Sequence, residues 1–184
     1  MTRVVYNKSE FVNMAKKNLD LWVTIHKRRL IGSAVFTANN SIVSKVVSWA
    51  SNIGKKEQGF IPSHVGSIIE VENNLFVFNM QPPRASMTPL VNYLLFTDNN
   101  YELVMRNFEL NEKMFSANIF YHLDEFYPYL SALRSVFTKR NTKWVNHCSE
   151  LHLRELQKQG LYKNVNPECT PLELYEILEE AIDK

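Results

Sequence analysis

Apolar residues recur with the spacing of amphipathic helices along most of the chain. The spacing predicts six helices, over residues 9–23, 42–54, 88–96, 124–136, 144–156 and 170–182. The last helix has the clearest start, because Thr170 suits the N-cap, Pro171 suits the first turn and Glu173 completes a capping box. Gly160 predicts the end of the preceding helix, since glycine readily adopts the left-handed conformation found there.

Shorter apolar runs predict four strands, over residues 30–36, 64–71, 75–80 and 101–105. Asn73-Asn74 separates the second strand from the third, and because asparagine tolerates positive φ, this pair predicts a hairpin turn. Pro82-Pro83 is expected to end the third strand. The pattern over residues 113–120 is ambiguous between helix and strand and receives no assignment.

The composition is that of an ordinary globular protein, with 184 residues, 45% of them hydrophobic and 22% charged. The chain contains no internal repeat or low-complexity linker, so we expect one domain over residues 1–184. A net charge of +2 is too small to indicate nucleic-acid binding, and the three charges of Lys27-Arg28-Arg29 are typical of a solvated face. No apolar run approaches the length of a membrane span, so we expect no integral membrane segment.

The two cysteines, Cys148 and Cys169, do not form the disulfide framework typical of small secreted proteins. The first 20 residues contain no uninterrupted apolar stretch and are not typical of a signal peptide. These observations favour a reduced, cytoplasmic protein.

Cys148 lies near the predicted start of a helix, in the segment Asn146-His147-Cys148-Ser149-Glu150-Leu151. The positive end of a helix dipole stabilises a thiolate and lowers the thiol pKa, and the thiolate is the reactive form of cysteine. Cys148 is therefore a candidate nucleophile, although a small buried residue in a helix would show the same local pattern.

A nucleophilic cysteine needs a base and a group that orients the base. His64 begins an apolar strand after a polar loop, and Gly66 beside it permits close approach of another group. Asn79 lies on the predicted partner strand, where its side-chain oxygen can accept the imidazole N–H. Cys148, His64 and Asn79 are the candidate catalytic residues.

A zinc site is the alternative constellation, because Cys148 and His152 are four residues apart and share a helix face. His64 or Cys169 would complete the ligand set. The closely spaced ligand pairs of structural zinc sites are missing, so we expect no metal and no cofactor. His26 and His122 have no motif around them. His147 is adjacent to Cys148, and neighbouring side chains on a helix point in different directions. None of these three histidines is expected to take part in the site.

Five segments, taken in order, resemble the circularly permuted papain-like hydrolases, the branch of the NlpC/P60 superfamily typified by YiiX. The segments are Ile31-Gly32-Ser33-Ala34-Val35-Phe36, Ser63-His64-Val65-Gly66, Phe76-Val77-Phe78-Asn79, Cys148-Ser149-Glu150-Leu151 and Cys169-Thr170-Pro171-Leu172-Glu173-Leu174. That family begins with a Gly-Asp strand, continues with a Ser-His-Val-Gly strand and its hairpin partner, and carries its nucleophile late, in a Cys-Ser-Glu-Leu helix start. The five segments extend from about residue 30 to residue 175.

The resemblance implies an α+β fold in which a small antiparallel sheet packs against helices. It also implies Cys148 as nucleophile and His64 as base. Asn79 falls where many relatives have Glu, and asparagine orients the base in ordinary papain-like enzymes. The remaining alternatives for the third position are Glu70, Glu72 and Gln81.

Two features depart from the family pattern or lie outside it. Ser33 occupies the position where relatives usually have Asp. The stretch from about residue 99 to residue 143 has no counterpart in the resemblance and is interpreted as an insertion that shapes the substrate cleft.

The combined expectation is a cysteine hydrolase that forms a thioester acyl-enzyme. A peptide, an amide or a lipid acyl group is the implied substrate, so amidase, peptidase, thioesterase and acyltransferase activities all remain open. The alternative is an inactive hydrolase-fold protein that binds a partner protein. Its motivation is an aromatic cluster formed by Phe120-Tyr121, Phe126-Tyr127 and Tyr129.

Overall fold

The computed structural model describes residues 4–38, 60–81, 84–123 and 148–180. The helices predicted over residues 42–54 and 124–136 lie outside these ranges. So do Pro82-Pro83 and the first four residues of the helix predicted over residues 144–156.

Within the described ranges the chain forms a six-stranded antiparallel sheet and helices on both of its faces, so the α+β class is confirmed. The strands are β1 (Val4–Asn7), β2 (Ala34–Ala38), β3 (His64–Val71), β4 (Asn74–Gln81), β5 (Arg84–Pro89) and β6 (Asn100–Met105). The helices are α1 (Lys8–Val12), α2 (Lys16–Leu30), α3 (Leu90–Phe96), α4 (Glu112–Phe120), α5 (Cys148–Lys158) and α6 (Pro171–Glu180). The strand order is β1-β6-β2-β3-β4-β5.

Two apolar cores lie on opposite faces of the sheet because side chains alternate along each strand. On one face, α1, α2 and α3 cover β-strand residues such as Val35 and Ile68. On the other face, α4, α5 and α6 cover residues such as Phe36 and Val65. The sheet is therefore the middle of three layers, and α5 begins on the second face.

The hairpin between β3 and β4 is confirmed, one residue earlier than its sequence signal indicates. Glu72 has φ +49° and Asn73 has φ +65°, whereas Asn74 already belongs to β4. Two successive residues with positive φ match the tight turn whose twist fits an antiparallel pair.

The prediction of one helix over residues 9–23 is wrong. The chain forms the short α1, leaves helical geometry near Asn13 and re-enters it in α2, which continues to Leu30. The last turn of α2 contains Lys27-Arg28-Arg29, where the helix dipole favours cations. The strand predicted from residue 30 accordingly begins at Ala34, after a turn in which Gly32 has φ +79°.

Three elements were not assigned from the sequence, and one of them is β1, since no strand was predicted before residue 30. Strand β5 pairs with β4, and its sequence, Arg-Ala-Ser-Met-Thr-Pro, contains no apolar run, so the criterion used for the other strands did not detect it. Helix α4 is the ambiguous stretch, and its N-cap is Asn111, whose side chain accepts the N–H of Met114. The stretch interpreted as an insertion contains both α4 and β6, and β6 lies between β1 and β2 within the sheet.

The two C-terminal helices agree with their sequence signals from Cys148 onward. Gly160 has φ +88°, and the N–H of Leu161 bonds to the carbonyl of Leu156, as expected for a glycine-terminated helix. The Thr170 hydroxyl accepts the N–H of Glu173, and the Glu173 carboxylate accepts the N–H of Thr170, so the capping box is confirmed.

Candidate active site

The candidate site lies where β3 and β4 separate. Their last paired residues are Gly66 and Asn79. Beyond that pair, β3 continues to His64 alongside β2, whereas β4 continues to Gln81 alongside β5. The sheet therefore opens at this point, and helix α5, described from Cys148 onward, brings that residue there.

His64 and Asn79 are joined by a buried hydrogen bond. Nε2 of His64 lies 3.2 Å from Oδ1 of Asn79, and the Asn79 amide nitrogen lies 3.4 Å from the carbonyl of Val77. Because an amide oxygen can only accept, Nε2 carries the proton and Nδ1 is the nitrogen left to face the thiol. Both side chains are buried, so this tautomer is held in one orientation.

Cys148 is adjacent to His64, and the two side chains share a hydrogen bond. Burial raises the pKa of the Cys148 thiol, but the charge of His64 and the hydrogen bond to it lower that pKa. Backbone hydrogen bonds from Val65 and Ser149 lower it as well, and the net pKa lies below its ordinary value. The sulfur is therefore held in an environment that favours the thiolate.

The pKa of His64 is shifted in the opposite direction. Burial lowers the pKa of this imidazole, whereas the charge of Cys148 and hydrogen bonds to Cys148 and Asn79 raise it above its ordinary value. A lowered thiol pKa beside a raised imidazole pKa favours the thiolate–imidazolium form of the pair. Such a pair supplies a charged nucleophile and a proton donor within the same contact.

Two of the three alternatives for the third position, Glu70 and Glu72, lie elsewhere. Glu70 forms a salt bridge with Lys27, with Oε1 2.5 Å from Nζ. Glu72 lies in the β3–β4 turn, at the opposite end of β3 from His64. Gln81 lies at the far end of β4, and its side chain is outside the described part. Asn79 is thus the candidate that the structure brings to His64.

The residues of the zinc alternative are only partly brought together. His152 is fully buried, and its Nδ1 lies 2.7 Å from Oγ of Ser67 on β3. Burial lowers the pKa of His152 to about 4, which keeps the ring neutral. Among the described residues, no group of three or more His, Cys, Asp and Glu side chains is arranged to hold a metal ion.

Sequence reasoning did not identify the surroundings of the sulfur. Cys169 lies close enough to Cys148 for their charges to interact, and the Ser149 hydroxyl donates to the Cys169 carbonyl. Burial raises the pKa of Cys169 to about 12, so the two free thiols differ strongly in acidity. The backbone contribution of Val65 carries no sequence signal, because any residue except proline supplies an N–H.

Comparisons of the chain with family models, curated proteins and solved structures found no match in any of the three. Within residues 4–38, 60–81, 84–123 and 148–180, none of the helices has both the length and the apolar content needed to cross a bilayer.

Proposed function

We propose that the protein is a cysteine-dependent hydrolase that transfers an acyl group through a thioester. The observation that carries the proposal is the contact of Cys148 with His64, together with the hydrogen bond from His64 to Asn79. The nucleophile contacts the base, and the base contacts the orienting group, which is the arrangement that covalent acyl transfer requires.

In the proposed reaction, the Cys148 thiolate attacks a carbonyl carbon and forms a tetrahedral oxyanion. The backbone N–H of Cys148, at the start of α5, is the proposed donor to that oxyanion. The imidazolium of His64 then protonates the leaving amine or alcohol, and the bond from the carbonyl carbon to that group breaks. Neutral His64 next removes a proton from water, which hydrolyses the thioester and regenerates the thiolate.

The proposed roles are those of the permuted papain-like hydrolases that the five sequence segments resemble. A peptide, an amide or a lipid acyl group is the proposed substrate class, and a second acceptor in place of water would make the enzyme an acyltransferase. A reducing compartment such as the cytoplasm suits this chemistry, because the nucleophile must remain a free thiol.

The test is the pH dependence of iodoacetamide alkylation of Cys148. We expect fast labelling below pH 7 in the wild type, and slow labelling with the profile of an ordinary thiol after His64→Ala. Cys148→Ala should abolish the fast phase. Cys169→Ala is the matched control, and it should leave the fast phase intact because the raised pKa of Cys169 keeps that thiol protonated.

A second measurement separates an active enzyme from an inactive one. Incubation with activated esters should give a mass increase equal to one acyl group, located on Cys148 and removed by hydroxylamine. Labelling of Cys148 only at the rate of an ordinary thiol near pH 8.5 would falsify the proposal.

The alternative is that the chain binds a partner protein without catalysis. Tyr121 and Phe120, at the end of α4, are 83% and 40% exposed, which favours an aromatic contact surface there. The rest of the proposed aromatic cluster lies outside the described residues. An inert Cys148 combined with partner binding that is lost in Tyr121→Ala would favour this alternative.

A further inference from the structure

Helix α2 presents an apolar ridge to solvent. Leu21 is 60% exposed and Ile25 is 68% exposed, and because they are four residues apart they lie on the same face of the helix. The opposite side of α2 is anchored in the core beneath it through buried Leu19 and Leu30. The ridge therefore faces away from the sheet and covers no other described element.

The same face of α2 carries cations at both ends of the ridge. Lys17 precedes Leu21 by one turn, and Arg28 follows Ile25 by about one turn. Lys17 and Arg29 are exposed, and among the described residues neither side chain forms an ion pair. Arg28 is 84% exposed, with Nε 3.5 Å from Oε1 of Glu112.

Positive charge is concentrated in this helix. Helix α2 contains five Lys or Arg residues and one Asp, a formal charge of +4, whereas the whole chain carries +2. The remainder of the chain therefore has a formal charge of −2. An exposed apolar ridge between cations, on a chain that is otherwise slightly acidic, combines the two attractions that hold a helix at an anionic lipid surface.

We propose that α2 docks the protein onto an anionic bilayer, with Leu21 and Ile25 inserted at the level of the headgroups and Lys17, Arg28 and Arg29 facing lipid phosphates or carboxylates. A nucleic acid fits less well, because aliphatic side chains occupy the centre of the basic face. A lipid surface also accepts a convex ridge without a matching groove. Two further exposed apolar residues, Val12 on α1 and Phe96 on α3, lie in the same helical layer.

The test is co-sedimentation with vesicles of phosphatidylcholine alone and of phosphatidylcholine with 30% phosphatidylserine, a composition of about physiological anionic content. We expect binding to the mixed vesicles at least about tenfold tighter than to neutral ones, and weaker binding as salt increases. Leu21→Gln combined with Ile25→Gln should weaken binding by about tenfold or more. Lys17→Gln combined with Arg29→Gln should reduce the preference for the anionic lipid.

The matched control is Met114→Gln combined with Phe120→Gln, which removes two exposed apolar side chains from α4 on the other face of the sheet. This variant should bind vesicles as the wild type does. Cys148→Ser should do so too, because docking through α2 does not require the Cys148 thiol. Equal binding to neutral and anionic vesicles, or unchanged binding of the Leu21/Ile25 variant, would overturn the proposal. If the protein bound a labelled duplex RNA but no vesicles, the basic face of α2 would be a nucleic-acid site, and the proposal of lipid docking would be overturned as well.

Discussion

Gly66 and Asn79 face each other as the last pair of β3 and β4, and they are in close contact. A methyl group on Gly66 would lie 2.8 Å from Oδ1 of Asn79 and 2.5 Å from Cγ1 of Val77. The oxygen that orients His64 therefore occupies space that only glycine leaves free. The glycine in Ser63-His64-Val65-Gly66 is thus required by the geometry of the site.

Gly66→Ala should disturb both the fold and the site. The added methyl group must displace the Asn79 side chain or spread β3 from β4, and overpacking of this kind costs about 1–3 kcal/mol of unfolding free energy. Because Asn79 is displaced from His64, alkylation of Cys148 should also slow at pH 6.5. Urea denaturation and alkylation rates, measured on the same protein, report the two effects.

Gly32→Ala is the control for loss of stability alone. Gly32 has φ +79°, and an added methyl group would lie 2.3 Å from Cδ2 of Leu110. We expect this variant to lose stability while keeping the alkylation profile of the wild type. If Gly66→Ala and Gly32→Ala gave the same profile, the contact between Gly66 and Asn79 would have no role in orienting His64.

Two substitutions at Asn79 separate orientation from charge. Asn79→Ala removes the acceptor for Nε2 of His64 and should reduce turnover by about 10- to 100-fold, less than the loss of the base itself. Asn79→Asp retains an acceptor and adds a negative charge, which raises the pKa of His64. Its rate profile should extend to higher pH, and a profile identical to that of Asn79→Ala would contradict this assignment.

The parts of the fold that follow from local patterns were predicted well. Strands β3 and β4, the capping box at Thr170 and the glycine end at Gly160 each depend on residues close in sequence. Strand β5 and the full length of α2 were missed, since their formation depends on pairing with β4 and on burial of Leu30. Such tertiary contacts override local propensity.

The residues of the candidate site could be named from the sequence, but local patterns did not indicate that they lie close together in space. Cys148 is 84 residues away from His64, and nothing local indicates that β3 and β4 separate beyond Gly66, where Cys148 meets His64. The resemblance to a known order of motifs supplied that connection. The bond between Ser67 and His152, 85 residues apart, had no sequence signal at all.

His152 should make the fold sensitive to acid. Its pKa is about 4 in the folded protein and near 6.5 when unfolded, so below pH 6.5 the unfolded chain binds the proton more strongly. Stability is therefore lost as the pH falls towards 4, by roughly 2 kcal/mol between pH 7 and pH 4.5. Asparagine does not titrate in this range, so the unfolding free energy of His152→Asn should fall by about this amount less than that of the wild type over the same pH interval. Urea denaturation at both pH values measures the difference.

Ser67→Ala is the matched control for this pH effect. It removes the hydrogen-bond partner of His152 but leaves a buried, titratable imidazole, so its stability should still fall with acid. His64 affects the pH dependence of stability with the opposite sign, because its pKa is raised. It is present in all of these proteins, so its contribution does not affect the comparison between them. Parallel pH dependences for the wild type and His152→Asn would show that His152 is not the acid-sensitive group.

The charge of Cys148 is the largest influence that raises the pKa of His64, so removal of the thiol should reverse the shift. In the wild type the His64 resonances, followed by NMR, should titrate above the ordinary value of 6.5. In Cys148→Ala and Cys148→Ser the thiolate is absent and burial becomes the dominant effect, so the pKa should fall below that value. The stability contributed by protonated His64, fully present below pH 6.5 in the wild type and lost as the pH rises through its folded pKa, should disappear in both variants. A His64 titration unchanged by either substitution would mean that the two groups do not form an ion pair.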